Sequence, residues 1–139
     1  MSTLEETFTS IAKNFIAGDF DAVAAQFDTP IAIYAGERVV ICPSHARFIE
    51  TMRRYHALLT DAGITDVSVN VIALPMMRGT TGTVWVEKTY YDAKGARVDS
   101  CQVRYFFRRI YGQTLVCMLE YVTRPAAVED AEFGYFSAA

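Results

Sequence analysis

TTGTVWVEKTYYDAKGARVDSCQVRYFFRRIYGQTLVCMLEYVT, residues 80–123, decides the fold. Val, Thr, Tyr and Phe dominate the stretch, and glycine-bearing breaks divide it. The pattern predicts strands Thr80–Tyr91, Arg97–Tyr111 and Thr114–Thr123, joined as antiparallel hairpins. Asp92-Ala93-Lys94-Gly95 suits a type I turn followed by a left-handed glycine. Gly112-Gln113 reads as a two-residue hairpin loop. Just upstream, Val67, Val69 and Val71 alternate with Ser68 and Asn70 and add a further strand.

Before Gly63 the period is helical. Leu4, Phe8, Ile11, Ala12 and Phe15 recur at the spacing of an amphipathic helix. Gly18 suits the left-handed position after its end, and Asp19 suits the cap of a second, short helix. Phe20, Val23, Ala24 and Phe27 form the apolar side of that helix, and Pro30 closes it. Ile31–Tyr34 and Arg38–Ile41, around Gly36, read as a small hairpin. Pro43-Ser44 opens the longest helix, about Ser44–Ala62, with Phe48, Met52, Tyr55 and Leu59 as its stripe. Helices followed by a run of antiparallel strands predict an α+β fold, with the helices packed on one side of the sheet.

Composition narrows the function classes. The chain has 139 residues, a formal net charge of -3 and a pI near 5.3. Hydrophobic residues make up 52%, which excludes intrinsic disorder. The acidic balance argues against nucleic acid as a partner. No apolar run reaches the length of a membrane span, and the start lacks the basic-then-apolar pattern of a secretory signal. A soluble, cytoplasmic single domain over residues 1–139 is expected, with 124–139 as a tail. Cys42, Cys101 and Cys117 lie far apart without a CxxC pair, so reduced thiols are expected rather than a metal or redox site. His45 and His56 share nearly one azimuth on the long helix but stand ~16 Å apart along it, too far to share a metal. Neither GxGxxG nor GxxxxGK[ST] occurs, so no cofactor is expected. The tail pairs the acids of Glu129-Asp130-Ala131-Glu132 with Phe133, Tyr135 and Phe136, a segment suited to folding back on the domain or onto a partner.

The assumed loops set a register. They place Trp85 opposite Val103, Glu87 opposite Cys101, Phe107 opposite Met118 and Tyr105 opposite Glu120. Period two then groups Trp85, Glu87, Val103, Tyr105, Phe107, Met118, Glu120 and Val122 on one face, expected against the helices. Val84, Val86, Lys88, Gln102, Arg104, Phe106, Arg108, Leu115, Cys117, Leu119 and Tyr121 fall on the other. Its apolar members, Val84, Val86, Phe106, Leu115, Leu119 and Tyr121, are expected to form a homodimer surface.

The segments FIAGDFDAVAAQF (15–27) and YFFRRIYGQTLVCMLEYV (105–122), in this element order, resemble the NTF2-like superfamily, and within it SnoaL-like domains and their ketosteroid-isomerase relatives. The resemblance covers about residues 4–123. It implies a cystatin-like cone, a strongly curved antiparallel sheet wrapped on the long helix, with an interior pocket and frequent dimerisation through the outer sheet face. The catalytic residues of ketosteroid isomerases do not carry over. The base position falls at Ile33-Tyr34-Ala35, the oxyanion tyrosine position at Ile11, and the protonated aspartate position at Tyr105.

The expected pocket is apolar, lined by Phe15, Tyr34, Phe48, Met52, Tyr55, Trp85, Tyr105, Phe107 and Met118. Glu120 and Glu87 are the proton-transfer candidates. A carboxyl among Tyr105, Trp85 and Met118 loses hydration, its pKa rises, and it becomes a general acid or base near neutral pH. The competing reading pairs the carboxylate with an arginine or leaves it exposed. His45, in the first turn of the long helix near the cone's rim, is the third candidate. The expectation is a small-molecule-binding domain, with cofactor-free isomerisation, cyclisation or dehydration left open; the alternative is a non-catalytic dimeric scaffold whose core is filled by its own side chains.

Overall fold

The computed structural model describes residues 3–123 and Pro125. The acidic and aromatic segment at 129–136 lies outside the described residues. Two helices, α1 (Leu4–Ile16) and α2 (Phe20–Ala24), precede strands β1 (Phe27–Ala35) and β2 (Arg38–Cys42). Helix α3 (His45–Asp61) follows, then β3 (Asp66–Arg78), β4 (Thr81–Tyr91), β5 (Arg97–Ile110) and β6 (Gln113–Thr123). The strands form one curved sheet in the order β2-β1-β6-β5-β4-β3, and the helices pack on its concave side. Every pairing is antiparallel except β1 with β6, which is parallel. The architecture is α+β, as the order of helical and alternating segments predicts.

Local chemistry sets the helix ends. Thr3, Asp19 and Ser44 each cap a helix by accepting from a backbone N–H three residues on, at 3.1, 3.2 and 3.3 Å. Gly63 has φ +82°, donates to the Thr60 carbonyl at 2.9 Å, and lets Ile64 N–H reach the Leu59 carbonyl at 3.1 Å. This is a Schellman motif, and buried Ile64 and Leu59 supply its apolar contact. Gly18, at φ +81°, ends α1 in the same way through Gly18 N–H to Phe15 and Asp19 N–H to Asn14.

Two histidines tie the helices down. His56 Nε2 donates to the Ile16 carbonyl at 3.0 Å, and its ring stands edge-on to Phe15 and Phe20. His45 Nε2 donates to the Phe27 carbonyl at 2.9 Å, linking the start of α3 to β1. A carbonyl only accepts, so each Nε2 carries a hydrogen.

The boundaries depart from expectation at two proline-bearing segments. Phe27 belongs to β1 rather than to the second helix, and Pro30 sits within β1 instead of closing that helix. The β1–β6 register is irregular between Phe27 and Ala32, where a residue without an N–H fits. Strand β3 runs well past Val71 to Arg78, with Pro75 at a second irregularity on this edge strand.

The hairpin registers also differ, and this matters for the site. The β4–β5 turn is as expected, with Tyr91 opposite Arg97, but the next pair is Tyr90 with Asp99. Val98 is therefore a bulge, and every later pair moves by one: Val86 faces Val103 and Trp85 faces Arg104. In β5–β6 the loop is Tyr111-Gly112, both at positive φ (51° and 77°), as a type I′ turn requires. A further bulge at Cys117 leaves Tyr105 opposite Leu119 and Arg104 opposite Glu120.

An odd shift in each hairpin exchanges the faces of β4 and β6 relative to β5. The concave face carries Val84, Val86, Lys88 and Tyr90 with Val103, Tyr105, Phe107, Val116, Leu119 and Tyr121. Trp85, Glu87, Met118 and Glu120 are on the convex face. Of the surface expected to mediate a dimer, Val84, Val86 and Leu119 are buried in the core and Tyr121 packs against it, while Phe106 and Leu115 remain outside.

Candidate functional site

The concave face and the helices do not close completely on each other. Between them lies a cavity of about 70 Å³. Ile11, Ala12 and Phe15 of α1 and Phe48, Thr51, Met52 and Tyr55 of α3 form its helical wall. Val23 of α2 and Phe27 and Ile33 of β1 close one side. The sheet contributes Lys88 and Tyr90 from β4, Tyr105 from β5, and Leu119 and Tyr121 from β6. A wall of this kind, mostly apolar with a few convergent polar groups, is the usual character of a small-molecule site.

The polar groups cluster on the sheet side. The Lys88 ammonium lies 5.2 Å from the Tyr105 ring centroid, in cation–π range. Lys88 is half-buried as a residue, and its ammonium is enclosed by protein atoms. Burial alone pulls the amine down. The anionic forms available to Tyr105 and Cys101, with a hydrogen bond to Tyr105, outweigh it and hold the amine above the ordinary lysine range. Burial pushes the Tyr90 phenol well above the usual tyrosine range, helped by Cys101, whose Sγ is 3.7 Å from the Tyr90 hydroxyl. On the helical side Thr51 donates to the Arg47 carbonyl at 3.0 Å, and the Tyr55 ring stacks on Tyr121 at 6.3 Å.

Of the residues expected in the pocket, Phe15, Phe48, Met52, Tyr55 and Tyr105 line the cavity. Tyr34, Trp85, Phe107 and Met118 do not. Phe107 is buried against Phe8 elsewhere in the core. Tyr34, Trp85 and Met118 face outward, the last two because of the bulged registers. The three acid–base candidates are also elsewhere. Glu120 accepts from Arg104 Nη1 at 3.0 Å on the convex face, so the arginine-paired reading describes it. Glu87 lies on the same face, opposite Gln102. His45 faces the Phe27 carbonyl. Ile11 lines the cavity beside Tyr105.

Lys88, Tyr90 and Thr51 were not anticipated there, nor were Leu119 and Tyr121. A signal existed in β4. Its even set, Val84-Val86-Lys88-Tyr90, is richer in apolar residues than Thr83-Trp85-Glu87-Thr89 and is the better core face.

A second cleft of about 400 Å³ runs between α1 and the β5–β6 hairpin, past Glu6, Ser10, Asn14, Gln26 and Arg109. It is larger but a polar surface groove, so convergence of chemistry favours the interior cavity. Among the described residues, no three or more His, Cys, Asp or Glu side chains gather as a metal site, and no helix is long and apolar enough to cross a membrane.

The family described as "NTF2-like protein (DUF6841)" matches residues 2–121. No curated protein matches the chain. Among solved structures, an NTF2-like protein with a cystatin-like fold from Novosphingobium aromaticivorans is 14% identical, with a TM-score of 0.61, over 95% of this chain and 85% of that one. Aln2 from a Streptomyces species is 17% identical, with a TM-score of 0.61, over 83% and 84% of the two chains. A ketosteroid isomerase-like protein from Erwinia carotovora atroseptica is 13% identical, with a TM-score of 0.55, over 85% and 94%. At these identities the likeness is one of fold.

Proposed function

This chain belongs to the NTF2-like DUF6841 family, and from that premise we propose that it is a small-molecule-binding protein whose ligand occupies the cavity between α1, α3 and the sheet. The observation that carries this reading is the hollow itself. Fifteen side chains from both helical and sheet walls surround space that the core leaves unfilled. A well-packed interior leaves few voids larger than a water molecule. The carboxylates expected to transfer protons face away from the hollow, so the reading is of binding.

The test uses neutral probes and methyl NMR. Met52 lines the cavity, whereas Met76 and Met118 lie on the convex side. Saturation with isobutanol should move the Met52 methyl signal and leave those of Met76 and Met118 in place. No Met52 shift at saturating probe sinks the reading.

We also propose that the convex face pairs with a second copy of the chain. Cross-strand pairing builds one row from Ile41, Ala32, Met118, Phe106, Thr83 and Met76, and a neighbouring row from Val39, Tyr34, Glu120, Arg104, Trp85 and Ala73. Met76 is 77% exposed, Ile41 56% and Val39 49%. The charges in these rows, Arg104 and Glu120, are paired within the chain, so an identical face meets no unpaired like charge there. Light scattering should give a dimer for the wild type and a monomer for Met118→Lys. A wild-type monomer at micromolar concentration refutes the interface.

A further inference from the structure

We infer that the ligand of the interior cavity is an anion, a small carboxylate on a compact apolar body, with Lys88 as its charge partner. The inference rests on the binding reading above and adds the chemical class of the ligand.

The strand register brings a cation to the wrong side of the sheet. Lys88 follows Val84 and Val86 on the concave face, with Tyr90 next in the same set. Enclosing an ammonium is costly unless a counter-charge accompanies it. Among the described residues none of the ion pairs includes Lys88, and no Asp or Glu lines the cavity. The groups nearest in the electrostatic sense, Tyr105 and Cys101, are a phenol and a thiol and not carboxylates. The Tyr105 face offsets only part of the desolvation. What remains is a positive charge beside a hollow.

Two features narrow what completes it. The Tyr105 ring face 5.2 Å from the ammonium favours the charged amine, which acts as an electrostatic anchor and not as a nucleophile. Hydroxyls of Tyr90 and Tyr105 in the same wall supply donors for the second oxygen of a carboxylate. The volume of about 70 Å³ is smaller than the cavity of about 150 Å³ that accepts benzene. The apolar body is therefore short, of the size of a branched aliphatic chain.

Calorimetry on the full-length protein at pH 7 and low salt tests this with matched pairs, isovalerate against isovaleramide and butyrate against butyramide. The wild type should prefer each carboxylate to its amide by about tenfold or more, the scale of a charge-assisted hydrogen bond. Lys88→Met should abolish that preference while retaining amide binding. Lys88→Gln should also abolish it, and serves should the Met variant fail to fold. Equal affinity for acid and amide in the wild type overturns the anion inference and leaves the binding reading standing. Carboxylate preference that survives both substitutions overturns the role of Lys88. If no probe binds the wild type at millimolar concentration, the binding reading falls and the inference falls with it.

Discussion

Arg104 Nη1 donates to Glu120 Oε1 at 3.0 Å on the convex face, while the Arg104 guanidinium lies 4.8 Å from the Trp85 ring centroid. A carboxylate that its neighbours in sequence make look like an interior acid is thus an outer-face ion pair. Both partners retain more than a third of their side-chain exposure, so solvent screens the pair. Glu120→Gln should therefore cost only about 0–1 kcal/mol in urea denaturation. It should leave affinity for cavity probes unchanged. A large loss of probe affinity would return Glu120 to the cavity.

Gly82 allows a close approach inside the sheet. A Cβ there would sit 2.6 Å from Phe107 Cζ and would also strike Met77 Sδ. The Met77 side chain is partly exposed and able to swing away, whereas Phe107 is buried against Phe8. Gly82→Ala should destabilise the protein by about 1–3 kcal/mol, as overpacking does. Adding Met77→Ala should recover only part of the loss, because the clash with Phe107 persists. Full recovery would show that the ring yields.

Lys13 donates to Asp66 at 2.6 Å, tying α1 to the start of β3. That hydrogen bond, with one from the Val67 N–H, holds the Asp66 carboxyl below the ordinary aspartate range. A depressed carboxyl contributes stability above the unfolded value of about 3.9 and loses it as pH falls through the folded value. Denaturation midpoints measured from pH 6 down to pH 2 should fall less steeply for Lys13→Met than for the wild type. Identical slopes would mean the pair contributes nothing.

Tyr90 behaves in the opposite direction. Burial raises its pKa, so the folded state keeps the proton after the unfolded chain has lost it. Its contribution is complete below the unfolded value of about 10 and disappears as pH rises toward the folded one. Tyr90→Phe should flatten the alkaline loss of stability between about pH 10 and 11. An unchanged alkaline limb would place the ionising group elsewhere.

Element type and order were legible because periodicity is a property of the chain itself. Phe8, Phe48, Met52 and Leu59 occupy the core faces their spacing predicts. The capping chemistry at Asp19, Ser44, Gly18 and Gly63 was also local and was read correctly. What failed was parity. A bulge at Val98 and another at Cys117 each add a residue, and nothing in Arg-Val-Asp or Val-Cys-Met announces one. Tyr111 at positive φ defeated the loop assignment for a related reason, since glycine or asparagine is the expected occupant. The candidate site depended on those parities. Its helical half was therefore anticipated, and its charged sheet half was not.

The protein's single tryptophan, Trp85, lies on the opposite side of the sheet from the hollow and stacks under Arg104. This divides the chromophores by location. Indole emission reports on events at the outer surface, such as a neighbour docking, and filling the interior leaves it nearly silent. Occupancy would instead be read in the near-ultraviolet bands of Tyr55, Tyr90, Tyr105 and Tyr121 around the cavity. A single cuvette thus holds separate optical channels for the two faces of one sheet.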